Sequence, residues 1–109
     1  MLQALDGLAK LWERARQVGA PGNRDYNPGW HTALDLTHLL TVSEAITRSA
    51  LERKESRGGH FRDDFPDKDD AHATFNLVTQ RGPDGKMQIR REPVKPMPPE
   101  LQAIIKEMA

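Results

Sequence analysis

Gly29-Trp-His-Thr-Ala-Leu-Asp-Leu-Thr-His-Leu-Leu-Thr-Val-Ser-Glu-Ala-Ile-Thr-Arg-Ser-Ala-Leu-Glu-Arg-Lys-Glu55 is the stretch on which the fold turns. Leu36, Leu39, Leu40, Ile46, Ala50 and Leu51 recur at helical spacing, and Val42 and Ala45 widen the apolar stripe. The period predicts one helix over about 29–55, roughly 35–40 Å long. Asn27 is suited to be its N-cap, and Pro28 to be its first helical residue. So wide a stripe cannot be covered by one neighbour, which implies a helix packed between two others.

Upstream the chain offers one such neighbour. Leu2, Leu5, Leu8, Trp12 and Ala15 repeat at helical spacing and predict a helix over Leu2–Val18. Asp6 and Lys10 form an i,i+4 pair in the favourable order. Gly19-Ala-Pro-Gly22 stops this helix, with Gly19 as the expected left-handed cap. Downstream, Glu55–Asp70 carries two adjacent glycines, a proline and five aspartates, a composition for irregular chain. Ala73, Phe75 and Leu77 then alternate with polar residues, Gly82-Pro-Asp-Gly85 reads as a turn, and Met87 and Ile89 alternate again. This pattern predicts a β-hairpin. Glu92–Pro99 holds four prolines and is expected to be extended, before a short helix from Pro99.

The fold class expected is therefore mainly α. It is a helical hairpin resembling part of a three-helix, spectrin-repeat-like bundle, with a C-terminal β-hairpin and a short terminal helix. Residues 1–57 form the bundle portion; 58–109 form the irregular charged loop, hairpin and Pro-rich tail of the same domain.

With 109 residues the chain suffices for one domain with a modest core. Apolar residues make up 37% and are concentrated before Leu51, whereas charged residues make up 29%, so a polar tail follows a helical core. Sixteen basic residues balance sixteen acidic ones, which argues against a general electrostatic grip on nucleic acid or anionic membrane. The chain has no cysteine, which removes disulfides, thiolate metal sites and cysteine nucleophiles from consideration. Its N-terminus is too charged for a signal sequence, and no apolar run is long enough to span a bilayer.

Candidate chemistry is sparse. His31, Asp35 and His38 share a helix face, but the zinc-protease spacing with its intervening Glu is absent, so surface or interface histidines are expected. Asp63, Asp64, Asp67, Asp69 and Asp70 suggest calcium. However, the sixth position of an EF-hand loop starting at Asp63 or Asp67 would be Lys68 or His72 rather than Gly. Arg57, Arg62 and Lys68 lie among these carboxylates, so ion pairing accounts for them. No Ser/His/Asp set has a nucleophile-elbow context and no Gly-rich phosphate loop occurs.

One stretch says more. Lys54-Glu-Ser-Arg-Gly-Gly-His60, then Arg62-Asp-Asp-Phe-Pro66 and Asp69-Asp70, resembles the C-terminal signature of the succinate dehydrogenase/fumarate reductase flavoproteins. Asn27-Pro-Gly-Trp-His, Ala33-Leu-Asp-Leu-Thr-His-Leu-Leu, Glu44-Ala and Ala50-Leu resemble the long helix that precedes it. The resemblance runs from about Asn27 to Pro98, with Gly59 in place of the usual Ala. L-Aspartate oxidases share the E-S-R-G-x-H words but usually lack the hairpin and Pro-rich closing segment, so residues 76–101 favour the dehydrogenase/reductase branch.

The resemblance implies an oxidoreductase that carries FAD in a separate N-terminal domain and interconverts succinate and fumarate in electron transport and the tricarboxylic acid cycle. The family's flavin-attachment and substrate-clamping residues lie in those earlier domains. No catalytic, cofactor-binding or metal role passes to any residue here, and the chain itself is expected to hold no FAD. The resemblance implies a three-helix bundle for this region, of which this chain is expected to start at the second helix. An interface or structural role falls to Glu55, Ser56, Arg57, Gly58, Gly59, His60, Arg62 and Asp63. Gly58 or Gly59 would take positive φ at the helix end, Arg57 would present its fork across an interface, and Glu55 and Asp63 would neutralise neighbouring arginines. Partners implied are the flavin domain of the same polypeptide and the iron–sulfur subunit, without nucleic acid and without direct membrane insertion. The implied location is cytoplasmic, peripheral to the inner membrane through the parent complex. Self-association through Leu36, Leu39, Val42 and Ile46 is also expected. The alternatives are the same region of an L-aspartate oxidase and a non-enzymatic helical interaction module.

Overall fold

The computed structural model describes residues 1–108. In chain order it contains α1 (Leu2–Ala15), α2 (Pro28–Glu52), a 3-10 turn (Asp70–Thr74), β1 (Phe75–Arg81), β2 (Met87–Pro93) and α3 (Pro99–Met108). This is the expected helical hairpin followed by a β-hairpin and a short helix.

Helix α2 starts as its sequence dictates. The Asn27 side chain accepts a hydrogen bond from the Trp30 amide at 3.3 Å, and Pro28 occupies the first turn. Asn27 also donates to the Pro21 carbonyl at 2.9 Å, so one residue both caps the helix and closes the loop before it. Tyr26, immediately upstream, takes a left-handed φ of 57° and is fully exposed.

Helix α1 lies antiparallel to α2. Near its C-terminal end, Leu11, Ala15 and Val18 lie beside Leu36 and Leu40; near its N-terminal end, Leu5 lies beside Leu51. The seam between them contains the one buried apolar side chain among the described residues, Leu40, which is 5% exposed. The β-hairpin leans on a third side of α2. Its tip and Met87 neighbour Trp12 and Thr41, and Arg91 binds Glu52 at 2.7 Å at the open end.

Several expectations shift in detail. Helix α1 stops at Ala15, not Val18, because Gln17 and Val18 turn their amides to the Arg14 and Ala15 carbonyls. Positive φ in the loop falls on Gly22 and Tyr26 rather than on Gly19. Helix α2 ends at Glu52, not Glu55, because Arg53 is extended at φ −82° and ψ 103°. Ala73 belongs to the 3-10 turn and not to the strand. Leu36 faces α1, so it is not part of the bare surface, whereas Leu39, Val42 and Ile46 are 62%, 57% and 64% exposed.

The molecule is open for its size. A folded chain of 12.3 kDa ordinarily exposes about 6,100 Å², against 8903 Å² here. Its radius of gyration is 20.1 Å, where about 13 Å is usual for this length. The excess comes from the uncovered side of α2 and from α3, which has no substantial contact with another element.

Candidate functional site

Below the end of α2 the chain ties itself into a polar knot. Helices leave their last carbonyls without intrahelical partners, and the negative end of the dipole favours a cation there. Arg62 meets both needs. Its Nη1 donates to the carbonyls of Ala50, Leu51 and Arg53 at 3.1, 3.0 and 3.1 Å. The other edge of the guanidinium, Nε and Nη2, binds Asp64 at 2.8 and 2.6 Å. This paired geometry holds the Arg62 pKa above its usual value and the Asp64 pKa below its own, the shared hydrogen bonds being the main cause. Phe65 lies under the same guanidinium at 4.6 Å. Arg62 itself is buried.

Glu55 is the other centre, and it is fully buried at 0% exposure. Its Oε1 accepts from Arg53 Nη1, and both carboxylate oxygens accept from Arg57 Nε at 3.1 and 3.0 Å. Its Oε2 also accepts from the Asp69 amide at 2.9 Å. The Arg57 hydrogen bond is the chief reason its pKa falls to about 2; burial opposes this, and the Asp69 amide and Arg53 reinforce it. In turn, Glu55 raises the Arg57 pKa. Both arginines also reach backbone, and Arg57 Nη2 lies 3.7 Å from the Asp70 carboxylate. Arg53 Nη1 binds the His72 carbonyl at 3.2 Å and Arg57 Nη2 the Asp69 carbonyl at 3.1 Å. A buried carboxylate is tolerable when so fully paired.

Ser56 and His60 close the loop. Ser56 Oγ accepts from the Arg62 amide at 2.9 Å and donates to the Phe65 carbonyl at 2.8 Å. His60 Nε2 lies 3.2 Å from the Arg53 carbonyl, which requires a proton on that nitrogen. Between them the chain reverses in two residues. Arg57 and His60 exchange backbone hydrogen bonds at 2.8 and 3.1 Å. Gly58 takes φ +59°, the first-position glycine that such a tight reversal selects.

Of the eight residues singled out from sequence, Glu55, Ser56, Arg57, Gly58, His60 and Arg62 therefore meet in one knot. Gly59 completes the turn without needing positive φ, and Asp63 is exposed. Two roles move. The positive φ of Gly58 serves the 57–60 reversal and not the helix end, and Asp64 rather than Asp63 neutralises Arg62. Arg53, Asp64, Asp69 and His72 escaped the sequence reading. Arg53 looked like an ordinary residue of the last helical turn, and nothing local marks which of five nearby aspartates is used. His72 is buried, its ring tilted at 53° to that of Phe75 with centroids 5.2 Å apart, and its Nδ1 has no hydrogen-bond partner among the described residues. Its burial depends on a hairpin that begins three residues later.

The described residues contain no group of three or more metal-ligating side chains. His38 Nδ1 and Asp35 approach only to 3.9 Å on an exposed face.

This fold and this knot define a helical-hairpin domain whose long helix is capped at its C-terminus by Arg62, beside a buried Arg–Glu–Arg cluster. The chain belongs to the fumarate reductase flavoprotein C-terminal family, whose model matches residues 1–104. It is 35% identical over 95 residues to the fumarate reductase flavoprotein subunit of Mycobacterium tuberculosis, covering 86% of this chain and 16% of that protein. It is 38% identical over 97 residues to the succinate dehydrogenase flavoprotein subunit of Coxiella burnetii, covering 88% of this chain and 16% of that protein. Among solved structures, the Mycobacterium smegmatis Sdh1 complex in the apo form superimposes with a TM-score of 0.79 at 41% identity, over 92% of this chain and 18% of that one. The chain thus spans about a sixth of the length of the curated relatives it matches. An L-aspartate oxidase of Streptomyces coelicolor aligns at 29% identity over 99 residues, or 91% of this chain and 17% of that protein. The hairpin and closing segment therefore do not by themselves separate the two branches.

Proposed function

We propose that this chain serves as the structural and interface domain of an FAD-dependent flavoprotein that interconverts succinate and fumarate. The observation that carries the reading is the buried, hydrogen-bonded knot at the end of α2. Its charged groups are committed to one another and to backbone, so the cluster is built to hold a shape. Arg57 keeps an exposed flank while its Nε is fixed on Glu55, which leaves a rigid cationic edge available to a neighbouring domain. The neighbour is the flavin domain of the same polypeptide, and an adjoining face meets the iron–sulfur subunit. FAD belongs to that other domain. No helix among the described residues is long and apolar enough to cross a membrane, which suits peripheral attachment through the parent complex at the cytoplasmic side of the inner membrane. Residues 1–57 and 58–108 act as one domain, since the knot and the Arg91–Glu52 pair tie the second part to the helix end of the first.

The test is Arg57→Ala in the full-length flavoprotein. Stability or flavin retention falls while turnover per bound flavin is unchanged. Normal flavin content with turnover reduced by orders of magnitude would instead make Arg57 part of the reaction. The isolated chain, lacking any dinucleotide loop, purifies without visible flavin absorbance; stoichiometric flavin would overturn the reading. The oxidase branch is the second reading, kept by the shared E-S-R-G-x-H words and the 29% identity. Oxidation of L-aspartate by the full-length protein would select it.

A further inference from the structure

We infer that α2 has two alternative C-terminal ends and that Arg62 selects between them. With Arg62 in place the helix stops at Glu52; without it the helix winds on by about one turn and stops before Gly58. The inference rests on hydrogen bonds within the chain and goes beyond the flavoprotein reading. It begins from a mismatch between local sequence and fold. No glycine or proline interrupts the chain between Gly29 and Gly58. Arg53, Lys54, Glu55 and Arg57 are all residues that favour helix. Yet Arg53 leaves the helix, at φ −82° and ψ 103°.

The geometry shows what stops it. In a continued helix the carbonyls of Ala50, Leu51, Glu52 and Arg53 would accept from the amides of Lys54, Glu55, Ser56 and Arg57. Arg62 Nη1 occupies three of these four carbonyls, at 3.1 Å from Ala50, 3.0 Å from Leu51 and 3.1 Å from Arg53. One guanidinium nitrogen thus stands in for the amides that the next turn would supply. The displaced amides find substitutes only in part. Ser56 donates to the Asp67 carbonyl at 3.0 Å and Arg57 to that of His60 at 2.8 Å. The Lys54 and Glu55 amides have no acceptor among the described residues, although Glu55 is fully buried. A buried amide without an acceptor is uncommon in folded chains, and the wound turn would satisfy it.

The second end is already built. Gly58 holds φ +59°, the left-handed conformation of the residue that follows a helix C-terminus. It serves the 57–60 reversal here and needs no change to cap the longer helix. The two ends exclude each other through Glu55. A wound turn rises about 1.5 Å per residue, less than irregular chain, and draws Glu55 away from the Asp69 amide that it holds at 2.9 Å. The bonds made by Glu55 and Arg62 are charge-assisted and stronger than ordinary helical ones, which keeps the unmodified chain at the shorter end. Asp64 fixes the plane of the Arg62 guanidinium through Nε and Nη2, at 2.8 and 2.6 Å. It is therefore the positioning residue of this stop.

Nuclear magnetic resonance of the chain reads the two ends residue by residue. In the unmodified chain the Cα shifts of residues 53–56 are non-helical and the Lys54 amide exchanges quickly. Arg62→Met keeps the length of the side chain and removes its donors. The expected result is helical Cα shifts over residues 53–56, with amide exchange at Lys54 slowed by about tenfold or more. Asp64→Asn, which leaves Arg62 present, shifts the same residues in the same direction by less, and it decides the question if Arg62→Met does not fold. Adding Lys54→Pro to either variant abolishes the gain, because proline lacks the amide and holds residue 53 out of the helical region. Two results would overturn the inference. One is a folded Arg62→Met chain, or failing that Asp64→Asn, whose residues 53–56 stay non-helical. The other is a helical gain that survives Lys54→Pro.

Discussion

The helical hairpin and the charged loop exchange the roles that their compositions suggest. Residues 2–52 contain most of the apolar side chains, yet Leu40 alone among them is buried, and Leu39, Val42 and Ile46 face water. Residues 53–72 read as solvated chain, yet they supply Glu55, Ser56, Arg62 and His72, all buried. The difference teaches that burial follows the availability of a partner. An apolar stripe is buried only where a second element reaches it, and α1 reaches just one side of α2. A charge is buried wherever the chain can return enough donors and acceptors, and here they return from well along it: Asp69 to Glu55, and Arg62 to the Ala50 carbonyl.

The first way to break this comparison is to remove the centre of the knot. Glu55→Ala leaves Arg53 and Arg57 facing each other without a carboxylate. Thermal unfolding, followed by circular dichroism, is expected to drop by roughly 10–20 °C. A drop of a degree or two would mean that the knot is an ornament on an independently stable hairpin.

The apolar counterpart is Leu40→Ala, with an expected loss of about 2–3 kcal/mol in denaturant unfolding. Leu39→Ala, on the bare side, costs a monomer far less. Equal losses at the two positions would show that the Leu39 surface is covered even in the single chain.

Acid sharpens the contrast further. Glu55 has its folded-state pKa pulled from 4.5 to about 2, so its contribution is fully present above pH 4.5 and is lost as pH falls toward 2. Stability against urea is expected to decline across that window, and Glu55→Gln is expected to flatten the decline. An unchanged slope in the variant would move the acid sensitivity to another carboxylate.

Two smaller effects test local geometry. Asn27→Ala removes the cap of α2 and the bond to Pro21, for about 1 kcal/mol. Gly58→Ala places a side chain at φ +59° and costs about 1 kcal/mol, whereas Gly59→Ala has open space around it and costs little. All three values can be read from denaturant midpoints. Identical effects at Gly58 and Gly59 would argue against the 57–60 reversal.

Period, punctuation and motif made much of this legible beforehand. The helical spacing of Leu36 through Leu51, the Asn27-Pro28 start, the Gly82–Gly85 turn and the Pro99 helix are local features, set by side-chain period and backbone preference within a few residues. The membership of Glu55-Ser-Arg-Gly-Gly-His60 in one site was also readable, because the words occur together. Its wiring was not. Whether Asp63 or Asp64 meets Arg62 depends on which way the chain turns after His60. Whether Leu36 or Leu39 is covered depends on the side from which α1 approaches. That α2 stops at Glu52 follows from Arg62, ten residues downstream, taking the carbonyls of the last turn. The sequence by itself determined where helices, turns and strands lie, since those obey nearest-neighbour sterics and spacing. Only the tertiary structure decided which charges are buried and which leucines are bare, because both depend on partners brought together from distant parts of the chain.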